Sequence, residues 1–168
     1  MTIPIVNQDD ALVGFKERTD VDFAKDIFRT ASLWVTNKRG EILLAQRKHT
    51  KKVDPGKWAE AVGGTVEGHD TYEQTAMREA EEELGLKVIS LTPGPKQFIT
   101  TPCRYFVQWF CITVDKKITD FVIQQDEVER IAWMPLEQLR HELKETPEKY
   151  IEAMGDVVRL MEGEEWER

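Results

Sequence analysis

The sequence predicts an α/β fold, and three observations carry that prediction. Runs of β-branched and aromatic residues are bounded by turn residues, a capped acidic helix lies in mid-chain, and an amphipathic stripe follows near the C-terminus. From Ile3 to about Glu17, two short apolar runs flank Asn7-Gln8-Asp9-Asp10, the pattern of a hairpin over about 3–17. Asp22 to Phe28 suits a helical turn. Ala31–Thr36 and Glu41–Arg47 follow as strands, joined by the tight-turn composition Asn37-Lys38-Arg39-Gly40. Pro55 and Gly56 interrupt regular structure, and Trp58 to Val62 is extended. Gly63-Gly64 then marks a sharp turn or a close backbone approach to a ligand.

Thr71 and Gln74 have capping-box spacing at the head of a helix running to about Leu84, where Gly85 supplies a left-handed terminator. Tyr105–Val114 and Val128–Met134 are strands, and Pro135 opens a short helix to about Leu143. Thr146 as cap and Pro147 at the first helical position predict a last helix over about 147–162. Its apolar stripe is Tyr150, Ile151, Met154, Val157, Val158 and Met161, at the spacing of core packing. No repeat or linker divides the 168 residues, so one domain over 1–168 is expected.

Composition narrows the function classes. A net charge of −8 argues against broad binding to a nucleic acid polymer, which needs a basic surface to displace counterions. No apolar run approaches the ~18 residues of a membrane span, and the opening MTIPIVNQDDALVGF reads as a strand rather than a secretion signal. Cys103 and Cys111, in or beside an apolar strand, suit reduced thiols, so a cytoplasmic location is expected. An acidic protein still binds a small diphosphate when a divalent cation and a few basic residues intervene. The cluster Arg47, Lys48, Lys51 and Lys52 offers the latter, with Arg47, Lys51 and Lys52 as substrate-binding candidates.

The helix carries a local conflict. Glu79 lies three residues before Glu82 and four before Glu83, so the three carboxylates share a face. Each like-charged pair costs about 0.2–0.5 kcal/mol, and acids in a last turn also oppose the helix dipole. No basic residue in the same turn is expected to offset them. A hard cation with oxygen ligands, Mg²⁺ or Mn²⁺, would turn this repulsion into binding.

The surrounding residues make the pattern specific. Gly64, Asp70, Arg78, Glu79, Ala80, Glu82, Glu83, Gly85 and Leu86, over 64–86, resemble the Nudix box G-x5-E-x7-R-E-U-x-E-E-x-G-U, with U apolar. Asp70 replaces the usual Glu, His69 stands where many relatives carry Gly, and Ala80 is small for its apolar slot. RGEILLAQR, PGKW and DEVERIAWMPLEQL extend the likeness over most of residues 30–143. The resemblance implies an α/β/α sandwich on a mixed β-sheet and metal-dependent hydrolysis of a phosphoanhydride bond in a nucleoside diphosphate-linked or related small molecule. It further implies Glu79, Glu82, Glu83 and the Gly63 carbonyl as ligands of Mg²⁺ or Mn²⁺. In the same reading, Arg78 pairs with Asp70, and Gly64 and Asp70 support the loop. The general base is Glu79 or, from a later loop, Glu127, with Glu129 ranked lower because it lies within the strand. A second copy of the chain, as a homodimer, remains an open partner.

Two rival readings differ in chemistry. LLAQRKHTKKVDPGKW and the box also resemble the isopentenyl-diphosphate isomerases and their unclassified Nudix relatives. Those isomerases use Cys-Gly-His just before the box region, where this chain has Val62-Gly63-Gly64-Thr65. A nucleotide-sensing module without turnover has no need to keep Arg78, Glu79, Glu82 and Glu83 together. Trp58, Phe98, Tyr105 and Trp109 are available for stacking on a base, although each suits a core better than a platform.

Overall fold

The computed structural model describes residues 1–163 and has nine strands in one mixed sheet with helices on both faces. The strands are β1 (Thr2–Val6), β2 (Leu12–Glu17), β3 (Ile27–Thr36), β4 (Glu41–Arg47), β5 (Trp58–Glu60), β6 (Val62–Thr65), β7 (Thr92–Ile99), β8 (Arg104–Thr113) and β9 (Val128–Pro135). The helices are α1 (Tyr72–Leu84), α2 (Leu136–Glu145) and α3 (Met154–Met161). β3 is the organising strand: it runs parallel to β8 from Ile27↔Arg104 to Thr36↔Thr113 and antiparallel to β6 from Thr30↔Thr65 to Leu33↔Val62. β4 pairs antiparallel with β5 and β9.

Strand alternation divides the core into two layers. Ala31, Leu33 and Val35 of β3 and Leu43 and Ala45 of β4 pack with Ala76, Ala80 and Leu84 of α1. The intervening Trp34, Ile42 and Leu44 face the other way, onto Leu139 of α2 and Met154, Val157 and Val158 of α3. This is the α/β/α sandwich expected. Among the described residues no helix is long and apolar enough to cross a membrane.

Tertiary contacts alter four local expectations. β3 begins at Ile27 because its first residues pair with β8, so only Asp22–Asp26 forms the expected turn. β7 had no expected element, since Pro93 and Pro95 discourage a strand. It forms at a sheet edge, with a register shift between Pro93 and Lys96 where missing donors cost little. Gly63 and Gly64 do not turn the chain but lie within β6. The last helix is broken: Pro147–Lys149 is a 3-10 turn, and Ile151 N–H donates to the Trp58 carbonyl at 3.0 Å before α3 starts at Met154. Tyr150 causes the break, being fully buried with its hydroxyl donating to Glu142 at 2.9 Å. Thr146 does not cap; its hydroxyl donates back to the Glu142 carbonyl at 3.2 Å.

The β1–β2 hairpin is tied down by one carboxylate. Asp10, at φ 60°, accepts from Arg29 Nε at 2.6 Å, from the Tyr72 hydroxyl at 3.0 Å and from Lys96 Nζ. Burial pushes the Asp10 carboxyl up, but these donors outweigh it and hold the group below the ordinary value of 3.8. Its stabilisation is therefore full near neutrality and lost as pH falls through the lowered value. Asp10→Asn is expected to cost about 1–3 kcal/mol in urea unfolding at pH 7, with the deficit shrinking at pH 3. An equal deficit at both pH values would contradict this account.

Candidate active site

The capping box forms as read, with Thr71 Oγ1 accepting from Gln74 N–H and the Gln74 side chain accepting from Thr71 N–H, and Gly85 closes α1 at φ 61°. The side packed on the sheet is lined by small residues, Ala76 and Ala80, both fully buried. Their size lets the helix approach β6 closely. The modest Ala80 in the box's apolar slot is thereby explained. Glu79 and Glu83, each one position before a buried residue, are carried to the rim of that contact. A Cβ at Gly64 would stand 2.3 Å from Cδ of Glu79, so the glycine is required by this approach.

The carboxylates do not share one environment. Glu82 is 52% exposed and points outward, whereas the Glu79 side chain is only 14% exposed. Arg78 offsets their charge, contrary to the expectation that nothing in the turn would. Its guanidinium lies 2.8 Å from Glu79 and 3.3 Å from Glu82, and it also meets Asp70 at 3.5 Å and Glu67 at 3.9 Å. The short Asp70 thus reaches Arg78 at the outer limit of a hydrogen bond, and Glu67 shares its place in the loop. The same loop is held from the hairpin, where Gly68 N–H donates to the Thr2 carbonyl at 2.9 Å and Phe15 meets His69 edge-on at 4.8 Å.

Glu83 accepts from Gly63 N–H at 3.2 Å. A strand residue whose amide leaves the ladder directs its carbonyl to the same side, so the Gly63 carbonyl faces away from β3. Burial pushes the Glu83 carboxyl up to about 8, and Glu79, Glu60 and Glu127 add to the shift. Burial likewise raises Glu79, against the opposing pull of Arg78. Glu83, Gly63, Glu127, Arg47 and Glu60 line one cavity of about 190 Å³, whose remaining wall includes Ala45, Val53, Ala59, Val128 and Ile151.

Of the basic cluster, Arg47 is at this cavity, Lys51 ion-pairs with Glu127, Lys48 with Glu129 at 3.2 Å, and Lys52 is exposed away from the lining. None of Trp58, Phe98, Tyr105 and Trp109 lines the cavity. Trp58 lies under Arg130, Phe98 stacks on Phe106 and Tyr105 on Phe28. Sequence reading missed Glu60; its one signal is an acid between two alanines in an otherwise apolar extended run.

The donor set suits a hard cation: the Gly63 carbonyl and the two carboxyls of Glu79 and Glu83, which burial disfavours as anions. As placed, no group of three acid, His or Cys side chains among the described residues closes on one point. Glu79 would have to rotate from Arg78 toward Glu83. Because folding raises the Glu83 carboxyl, its burial opposes folding increasingly as pH rises from 4.5 to about 8. In chelator, Glu83→Gln is expected to match wild type at pH 5 and to exceed its Tm by about 3 °C or more at pH 8. A lower Tm for the variant at pH 8 would refute the burial account.

Comparison with known proteins places this architecture. The NUDIX domain profile matches residues 26–154, from the start of β3 into α3. The uncharacterised Nudix hydrolase YfcD of Salmonella typhi is 29% identical over 139 residues, 82% of this chain and 73% of that protein. The crystal structure of DR0079 from Deinococcus radiodurans superposes with a TM-score of 0.82 at 23% identity, covering 96% of this chain and 99% of that one. An Ap4A hydrolase from C. elegans gives 0.59 at 21% identity, covering 80% and 95%. These two likenesses establish the fold. Since the profile takes in the acidic helix and strands β3 to β9 and covers more than half of the chain, the chain belongs to the Nudix hydrolase family.

Proposed function

We propose that the chain hydrolyses a phosphoanhydride bond in a nucleoside diphosphate-linked or related diphosphate, using Mg²⁺ or Mn²⁺. The observation that carries this reading is the convergence of Glu83, Gly63, Glu127 and Arg47 on one cavity beside the box helix. Glu79, Glu83 and the Gly63 carbonyl would hold the cation, with Glu82 joining from the exposed side by rotation. When bound, a divalent cation neutralises diphosphate charge and polarises the phosphoryl oxygens.

The chain's own residues have separable tasks. Arg47 lines the cavity and binds phosphoryl oxygens, while Lys51, paired with Glu127, and the exposed Lys52 add positive field. Water attacks phosphorus, the bridging P–O bond breaks, and the leaving phosphate departs with that bridging oxygen. Glu127 accepts the water's proton, a role supported by its place in the cavity lining, which Glu79 does not share. Arg78 acts by holding the box helix and its loop together through Glu79, Glu82, Asp70 and Glu67, with Gly64 keeping space for Glu79. An isomerase reading lacks support because the stretch matching Cys-Gly-His, within Val62-Gly63-Gly64-Thr65, has neither Cys nor His.

The reading is tested on nucleoside di- and triphosphates, dinucleoside polyphosphates, nucleotide sugars and prenyl diphosphates with Mn²⁺ or Mg²⁺. Turnover of at least one, abolished by chelator, is expected. Glu79→Gln and Glu83→Gln should each lower kcat by about 100-fold or more, while Cys103→Ala and Cys111→Ala stay within about twofold. Loss of activity in a folded cysteine variant would instead favour alkene protonation. Gly64→Ala, which drives a methyl group into Glu79, should weaken Mn²⁺ binding by about tenfold. Unchanged affinity would separate Glu79 from the metal.

A further inference from the structure

Glu60 ends β5, opposite Leu44 in the ladder with β4, at a position where an apolar residue would complete the strand's inner face. Its Oε1 accepts a long hydrogen bond from Ser32 Oγ at 3.4 Å. Its Oε2 is shielded from solvent and has no hydrogen-bond partner among the described residues. A buried, unmatched carboxylate oxygen is costly, and native structures rarely tolerate one without a reason. Arg47, the cation in the cavity lining, donates through Nε to the Val53 carbonyl at 3.1 Å, keeps its terminal amino groups for phosphoryl oxygens, and makes no hydrogen bond to Glu60 Oε2.

We propose that Glu60 is a substrate-binding residue whose Oε2 accepts a hydrogen bond from an N–H or O–H on the organic group of the diphosphate. It thereby selects nucleoside compounds over prenyl diphosphates. This rests on the diphosphate reading of the same cavity. The position fits: Glu60 lines that cavity together with Glu83 and Gly63, so a group joined to the diphosphate is brought to it. The apolar lining residues, Ala45, Val53, Ala59, Val128 and Ile151, offer no polar side chain to tell a heterocycle from an isoprenoid chain, and the polar Gln46 and Asp54 are engaged, with the Gly56 carbonyl and Arg130 and with Lys57. They do not discriminate; Glu60 does. A ribose hydroxyl or an exocyclic amine supplies the missing donor, whereas a prenyl chain fills the same walls and leaves Oε2 unpaired. Sites built around a polar contact reject analogues that lack it far more strongly than apolar pockets reject one another's ligands.

Binding of non-hydrolysable analogues tests this independently of turnover. α,β-Methylene-ADP and a geranyl diphosphonate, which carry the same headgroup chemistry, are titrated into wild type, Glu60→Leu and Glu60→Gln at saturating Mn²⁺. Wild type should prefer the nucleoside analogue by at least about tenfold, and Glu60→Leu should erase that preference. Glu60→Gln, whose amide oxygen still accepts, should keep most of it and serves if the leucine variant does not fold. Analogues lacking the ribose hydroxyls or the exocyclic amine identify the donor, and a loss for either supports the assignment. Equal binding of both parent analogues to wild type, equal weakening of both by Glu60→Leu, or indifference to all donor deletions overturns it. So does a parallel loss of Mn²⁺ affinity in Glu60→Gln, which would make the residue an ion ligand. Selective analogue binding without hydrolysis of any diphosphate would refute the hydrolase reading while leaving this one standing.

Discussion

The candidate site depends on one packing constraint: α1 buries Ala76, Ala80 and Leu84 on the sheet while carrying Glu79 and Glu83 one position away. The helix cannot move off the sheet to relieve the acids without giving up buried apolar contact at roughly 25 cal/mol per Å². Small residues on both sides of the contact, the two alanines and Gly64, bring the helix axis close. The carboxylates are consequently set at the rim, partly desolvated and near one another. Charge repulsion is thus built in by apolar packing rather than being an accident of an exposed surface.

Arg78 is the counterweight. Its single guanidinium serves Glu79, Glu82, Asp70 and Glu67, which joins the helix to the loop before it. Half-buried and multiply paired, it is worth more than an exposed surface ion pair, whose median contribution is about 0–1 kcal/mol. Glu83 lies outside this neutralised group and takes only the Gly63 amide. The least compensated of the three box glutamates therefore faces the cavity, where an external positive charge would act most strongly.

The N-terminal hairpin adds support from outside the family-matched region, which begins at residue 26. Thr2 and Phe15 contact the box loop at Gly68 and His69, and Asp10 binds Tyr72 in the first turn of α1. His69, which departs from the common glycine, is accommodated as an aromatic partner for Phe15. His69 is in this way fitted to an element outside the matched region.

Local chemistry made much of this legible in the sequence: the hairpin, the strands 41–47 and 128–134, the α1 cap and terminator, and the spacing of Arg78, Glu79, Glu82 and Glu83. Each depends on residues within a few positions of one another, where φ preference, side-chain capping and helical periodicity act directly. Tertiary structure alone decided the rest. The strand at 92–99 exists because β8 offers an edge that tolerates two prolines, and the final helix is broken because Tyr150 is buried against Glu142. Burial distinguishes Glu83 from the outward Glu82, and the cavity joins Glu60 and Glu127 to the box across 67 residues of chain. Desolvation and convergence of distant side chains are properties of the folded packing, and no local pattern encodes them.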